Sequence, residues 1–443
     1  MVFGFALILS MILIPQAAFA AGSGEGSGPP LWMALPFVLL LAAIALGPTV
    51  GQRWWGKYYH AFSFALVGLV VLFYLPSPDG ARPLLHAASD YLSFIILIGA
   101  LFVISSGIWI QINRPATPLL NTLLLLSGAL LSNLLGTTGA SMLLIRPYLS
   151  INRGRLHGYH LAFFIFIVSN IGGLLTPIGD PPLFLGYLKG IPFFWVVRAV
   201  WPIWLWAIGF LLTLFFLIDL TAARRAARLG LVPETRVTEP LRIEVVGKHQ
   251  FLLLAIIIGA IFLESPIREG IILAAAALSY STASNQAYEG NQFSFAPLKE
   301  VAILFFAIFT TMAPALEWLS AHSGELGLVQ PGHFFWGSGL LSSVLDNAPT
   351  YLNFFTIISG RHPTSTLEAL LVSNGIFIQA ISVGSVFFGA NTYIGNGPNF
   401  MVKSVAEQAG MIPPTFMGYM VRYAFPILVP LYLFIWILFF RGV

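Results

Sequence analysis

The chain contains no cysteine, and only 9% of its 443 residues are charged. The first absence excludes disulfides, thiol catalysis and cysteine-ligated iron–sulfur clusters. The second excludes an ordinary water-facing surface, because soluble domains carry about 25% charged residues. The eight histidines form no H-E-x-x-H pair, so a zinc protease of that type has no support. A formal net charge of +4 gives no reason to expect a nucleic-acid partner.

What is present is apolar: 58% of the residues are hydrophobic, and they fall in runs of about 20, the length of a spanning helix. In hydrocarbon every backbone N–H and C=O must be satisfied internally, which leaves helices or closed barrels. The short alternating strands of a barrel are absent. The sequence therefore predicts an all-α polytopic membrane protein, multi-pass in a bacterial inner (plasma) membrane, with the lipid bilayer as its main partner and no enzymatic activity.

Met1 to Ala20 form an apolar run ending Ala18-Phe19-Ala20, an A-x-A cleavage signature. No basic residue precedes the run, so residues 1–21 read as a signal peptide or an uncleaved first helix. Residues 22–30 read as a Gly/Ser linker. An amino-terminal membrane half follows at 31–220, a cytoplasmic connector at 221–250 and a carboxy-terminal half at 251–443. The Arg-rich start of the connector is expected to lie as a helix on the membrane surface.

The apolar segments are 31–50, 58–75, 89–110, 118–149, 160–190, 193–220, 251–264, 267–284, 298–318, 333–357, 367–409 and 417–440. Four of them are interrupted, at Gly136-Thr137-Thr138-Gly139, at Thr176-Pro177-Ile178-Gly179-Asp180-Pro181-Pro182, at Asp346-Asn347-Ala348-Pro349, and across Gly389 to Pro398. Glycine lacks a Cβ and proline lacks an N–H, so both break helices.

The breaks recur in the two halves. Leu130-Leu131-Ser132-Asn133 matches Leu340-Leu341-Ser342-Ser343. Thr176-Pro177-Ile178-Gly179-Asp180 matches Thr392-Tyr393-Ile394-Gly395-Asn396, and Val197-Arg198-Ala199 matches Val421-Arg422-Tyr423. Common order and similar offsets indicate an internal repeat. With 118–149 and 333–357 taken as re-entrant hairpins and the mature amino terminus outside, fourteen basic residues fall on the cytoplasmic side and five outside. Arg198 and Arg422 remain within helices. This satisfies the positive-inside rule and makes the repeats inverted, each with a re-entrant helical hairpin and a broken transmembrane helix.

Inverted repeats with discontinuous helices suit alternating access about a site near mid-bilayer. Asp180 and Asp346 each sit in a break, where a charge costs about 2.5–3.5 kcal/mol on insertion scales. They are the candidate sodium ligands or proton carriers; the bland alternative is that they cap the following half-helices. Asn133, Thr137, Thr138, Asn170, Asn347, Thr392 and Asn396 are neutral oxygen donors at or near the breaks. They could complete a cation shell or hydrogen-bond freed backbone. Arg198 and Arg422 read either as snorkelling residues or as partners of an Asp or an anionic substrate.

Ser169-Asn170-Ile171-Gly172-Gly173-Leu174-Leu175-Thr176-Pro177-Ile178-Gly179-Asp180-Pro181-Pro182 resembles the N-x-G-G-x-x-x-x-I-G-D-P-P signature of the ion transporter superfamily. Members include arsenite-efflux permeases, the melanosomal P protein, NhaD-type sodium/proton antiporters and citrate transporters. Leu345-Asp346-Asn347-Ala348-Pro349-Thr350 resembles the L-D-N-x-[PT]-T hairpin tip of the same group. The resemblance implies two hairpins, two broken helices, a scaffold domain and a homodimer. It also implies a substrate and coupling-ion site at Asn133, Thr137, Asn170, Gly179, Asp180, Asp346, Asn347, Thr392 and Asn396. One departure is that Leu135-Gly136-Thr137-Thr138 stands where many relatives carry L-D-N, and Asn396 stands where the other half has Asp180. Each repeat thus has one Asp, in non-equivalent elements.

Sodium/proton antiport is the leading expectation, with a sodium ion and/or proton as coupling ion and no cofactor. The alternative is cation- or proton-coupled transport of citrate or another carboxylate, with oxyanion efflux behind both. An intramembrane aspartyl protease would leave the repeat unexplained, and Pro177-Ile178-Gly179-Asp180 lacks the first Gly of a G-x-G-D motif.

Overall fold

The computed structural model describes residues 29–50, 52–76, 81–229 and 242–441. The predicted leader, most of the linker and residues 230–241 of the connector lie outside them. Eight helices among the described residues are long and apolar enough to cross a membrane. The chain is a helical, multi-pass membrane protein.

Three helices come first: α1 (Leu35–Val50), α2 (Gln52–Tyr74) and α3 (Ala81–Ser106). The next element, α4 (Pro118–Ile151), contains 34 residues. A straight helix of that length would separate its ends by about 50 Å. Instead the Ala116 N–H donates to the Ile151 carbonyl at 2.9 Å. The chain doubles back at Gly136, whose φ of 72° and ψ of 158° lie outside the helical region and in conformational space that a side chain disfavours. This is the first hairpin. Thr117 caps its entry by accepting from the Leu120 N–H at 3.2 Å.

A broken helix follows. Helix α5 (Gly158–Ile167) gives way to a 3-10 turn at Ile171–Leu175 and an extended stretch. Helix α6 (Pro181–Leu188) then resumes. The sequence places the break at 176–182, but α5 already ends at Ile167. The cause is Asn170, whose side-chain amide takes the freed Ile165 carbonyl at 2.9 Å. Helix α7 (Phe193–Arg228) closes the first half with 36 residues, about 54 Å of helix against a hydrocarbon layer of about 30 Å. Arg224, Arg225 and Arg228 therefore prolong this one helix. They do not start a separate surface helix, as the sequence reading had it.

The second half begins with α8 (Gln250–Ala260), α9 (Ile267–Thr282) and α10 (Asn285–Gly290). The expected spanning segment 251–264 is corrected here: α8 has 11 residues, about half of what a span requires. Helix α11 (Ala296–Ala321) leads to the second hairpin, α12 (Pro331–Ser342) and α13 (Asn347–Arg361). Its limbs pack with the Phe334 and Phe354 rings 6.1 Å apart, and Arg361 donates back to the Leu328 carbonyl. Helix α14 (Leu367–Phe388), a 3-10 turn at Gly389–Asn391 and α15 (Gly397–Gln408) form the second broken helix. Helix α16 (Phe416–Tyr419) runs through one wide turn into α17 (Phe425–Phe439). The two halves thus repeat one order: long helix, hairpin, broken helix, long helix.

The all-α expectation needs one amendment. Strand β1 (Trp109–Ile112) pairs antiparallel with β2 (Ile243–Val246), placing Gln111 opposite Glu244 and Ile112 opposite Ile243. Both segments are rich in β-branched residues, which suit a pleated ribbon. Helix α3 packs on α9, on α11 and on the first hairpin, and one apolar core runs through both halves.

A buried polar knot fastens the root of the first hairpin. Asp219 of α7 is fully buried. It accepts from Asn121 at 2.9 Å, from the Tyr159 hydroxyl at 2.7 Å, and from Arg155. Asn121 in turn exchanges hydrogen bonds with Asn152 at the hairpin's other root, at 2.8 and 2.9 Å.

Candidate functional site

Both hairpin tips and both breaks meet at one carboxylate. Asp180, 1% exposed, accepts at Oδ1 from the Thr137 hydroxyl at 2.8 Å and from the Asn396 amide at 3.2 Å. At Oδ2 it accepts from the Asn347 amide at 2.7 Å. These donors come from the first hairpin tip, the second break and the second hairpin tip. Three neutral donors offset the desolvation of the carboxylate without neutralising its charge.

The amides continue from there. Asn396 also donates to the Ser169 carbonyl at 3.0 Å and to Asn170 Oδ1 at 3.2 Å. Asn170 donates to Asn399 Oδ1 at 2.7 Å. Asn399 then holds the Gly389 and Thr392 carbonyls, both at 2.8 Å. A ladder of side-chain amides thereby joins the two breaks.

The repeated residues make repeated contacts. Thr176 donates to the Asn133 carbonyl at 2.7 Å, and Thr392 donates to the Ser343 carbonyl at 2.7 Å. Ser132 donates to the Val168 carbonyl at 2.8 Å, and Ser342 reaches the Ser385 carbonyl at 2.6 Å. Asn133 serves freed backbone, donating to the Ala129 and Gly172 carbonyls and accepting from the Leu175 N–H. Asp346 caps α13 through the Ala348 N–H at 3.2 Å. Asp180 makes no such cap, so its side chain is committed to the cluster.

Gly179 permits the closeness of tip and break. Its carbonyl accepts from the Thr137 N–H at 2.8 Å, and a Cβ built on it would lie 2.0 Å from the Gly173 oxygen. Gly179→Ala is therefore expected to lose about 3 kcal/mol, the upper end for overpacking. A lower thermal midpoint in detergent would register the loss; an unchanged midpoint would show that the break relaxes freely.

A cleft reaches the cluster from one side. It is lined by Phe94, Leu97 and Leu101 of α3, by Gly136 to Gly139, by Ile178 to Pro181, and by Phe184. Thr138, half-buried, stands in its wall. The room for water is about 30 Å³, two or three molecules at roughly 10–15 Å³ each. Among the described residues no Lys, Arg or His lines the cleft, and no ion pair involves Asp180 or Asp346. No cluster of His, Asp or Glu suited to a tightly held metal occurs among the described residues.

The structure brings Thr137, Asn170, Gly179, Asp180, Asn347 and Asn396 together, with Asn133 and Thr392 holding the backbone behind them. It does not bring Arg198 or Arg422 there. Arg198 is exposed on α7, and Arg422 borders a separate surface groove with Gly158, Pro414, Thr415 and Tyr423. Sequence reasoning missed Asn399, although it lies three residues beyond Asn396 on the same helical face. It also missed Asp219, whose signal was a lone acid within an apolar run.

A protein-family model described as "Putative citrate transport" matches residues 26–440. No curated protein matches the chain.

Proposed function

Since the chain belongs to the citrate-transport family that spans nearly all of its length, we propose that it is a secondary transporter for citrate or a closely related polycarboxylate, moved together with a cation or proton. This reverses the order drawn from the sequence, where sodium/proton antiport stood first.

The observation that carries the reading is the meeting of four helix starts at Asp180. The returning limb of the first hairpin, α6, α13 and α15 begin at Thr137, Pro181, Asn347 and Gly397. Asp180 and Asn396 immediately precede two of these starts, while Thr137 and Asn347 open the other two. Each helix start carries about half a positive charge. The contribution is that field and not free donors, since Pro181, Pro182 and Pro398 have no N–H and the Thr137 and Ala348 N–H groups are paired with Gly179 and Asp346. Four of them favour carboxylate groups with no basic side chain involved.

Asp180 and Asp346 set the second requirement. A polyanion brought beside these two carboxylates is repelled by both. A polyanion therefore needs a cation alongside it. Asp180, Asp346, the amides of Asn347 and Asn396, the hydroxyls of Thr137, Thr138 and Thr392, and the unwound carbonyls around Asn133, Asn170 and Gly179 supply oxygen for a hard cation. We assign these residues to substrate and coupling-ion binding. In this reading the two halves are inverted copies, and they exchange conformations around the amide ladder to expose the site to each side in turn.

Reconstituted vesicles test the assignment. Labelled citrate is expected to accumulate under an imposed sodium or pH gradient. If sodium or lithium instead dissipates a preset pH gradient with no citrate present, antiport replaces this reading.

A further inference from the structure

The cleft that reaches Asp180 has two apolar walls, and among the described residues one ion pair, outside the cleft's lining, joins them. Lys189 Nζ lies 2.5 Å from Asp90 Oδ2. Asp90 belongs to α3, and Phe94, Leu97 and Leu101 follow it at offsets of four, seven and eleven residues. Those offsets place all four on one face of the helix, and the last three line the cleft. Lys189 ends α6 as its C-cap, five residues beyond Phe184 of the opposite wall. The pair thus connects the half-helix that starts at Asp180 to the long helix facing it.

We propose that Asp90 and Lys189 form a gate that closes the cleft and parts whenever the site opens between α3 and α6. The proposal rests on the transport reading, since a site served by alternating access must gain and lose such a closure in each cycle. The walls themselves can separate readily. Phe94, Leu97 and Phe184 all line the cleft, and apolar contact between its walls is non-directional. The ion pair supplies the directional contact between them. Its side chains are 35% and 22% exposed, so it biases the equilibrium without locking it. Partly exposed pairs shift an equilibrium by up to about fivefold.

A cysteine-free chain makes the test clean. With Thr138→Cys as sole reporter in the full chain in vesicles, a water-soluble thiol reagent reads how often the cleft opens. Asp90→Asn and Lys189→Gln are each expected to speed labelling by up to about fivefold. The exchange of Asp90→Lys with Lys189→Asp is expected to return it towards the starting rate. Equal labelling in all variants, or an exchanged pair as fast as the single substitutions, overturns the gate.

A second arm places Asp90→Cys and Lys189→Cys together and bridges them with a short reducible bis-thiol linker. Bridging is expected to stop citrate uptake, and reduction to restore it. Undiminished uptake by the bridged protein overturns the gate. If the unbridged protein takes up no citrate under any gradient, the transport reading fails, while the labelling rates still decide whether the pair holds the cleft shut.

Discussion

Asp180→Asn is expected to lower gradient-driven citrate uptake by at least about 100-fold while the protein still folds. The substitution keeps the shape and leaves one oxygen for Thr137 and Asn396, which both donate to the same atom. It places an amide where Oδ2 meets the Asn347 amide, so donor faces donor unless Asn347 turns over. Turning Asn347 disturbs Ser342, which contacts Asn347 Oδ1 at 2.6 Å, and so loosens the second hairpin tip.

The larger loss is the charge itself. Hydrogen bonds to a charged group contribute about 1.5–3 kcal/mol, and each 1.4 kcal/mol is tenfold in rate or affinity. Losing one charge-assisted contact together with the cation's carboxylate ligand accounts for two decades or more. Uptake of labelled citrate measures the effect. A thermal midpoint and a symmetric elution profile establish that the variant is folded. Full uptake by a folded Asp180→Asn protein would remove the residue from the mechanism.

Asp219→Ala is expected to destabilise the protein by about 3 kcal/mol, the lower end for breaking a buried ion pair, because Arg155 is partly exposed. The substitution leaves Arg155 with the Ala116 carbonyl but no counter-charge, and leaves the Asn121 amide and the Tyr159 hydroxyl without their shared acceptor. Because these donors come from the hairpin root, the loop after it and the start of α5, all three should loosen together. The double variant Arg155→Met with Asp219→Leu is expected to be more stable than Asp219→Ala alone, since no charge is then left unpaired. Thermal unfolding of the three proteins in one detergent separates these outcomes. Equal stability of wild type and Asp219→Ala would mean the knot holds nothing.

The fold was legible wherever local chemistry conflicts with helix. Gly136, the Pro177–Pro182 stretch and Asp346 announce their breaks because Gly, Pro and a charge are unfavourable in a lipid-spanning helix. The early end of α5 was not legible, since Val168 and Ser169 carry no breaking signal and Asn170 ends the helix through a side-chain contact. Nor was the ribbon, because β1 and β2 are four residues each and lie far apart in the chain.

The site divides along the same line. Its residue types were legible, but not the arrangement: the partners of Asp180 lie 43, 167 and 216 positions away. No local pattern records which of several buried amides will face one carboxylate. The basic residues Arg198 and Arg422 show the converse. Their equivalent places in the repeat mark a shared helix entry and lead to no shared pocket.

The small ribbon sets the mechanical frame for all of this. By stitching the exit of α3, ahead of the first hairpin, to the approach of α8, it ties the early part of one half to the beginning of the other. In the alternating-access reading proposed above, a push on α3 from the first hairpin is then borne by α8 and α9 as well, and the tie is what keeps that frame stiff.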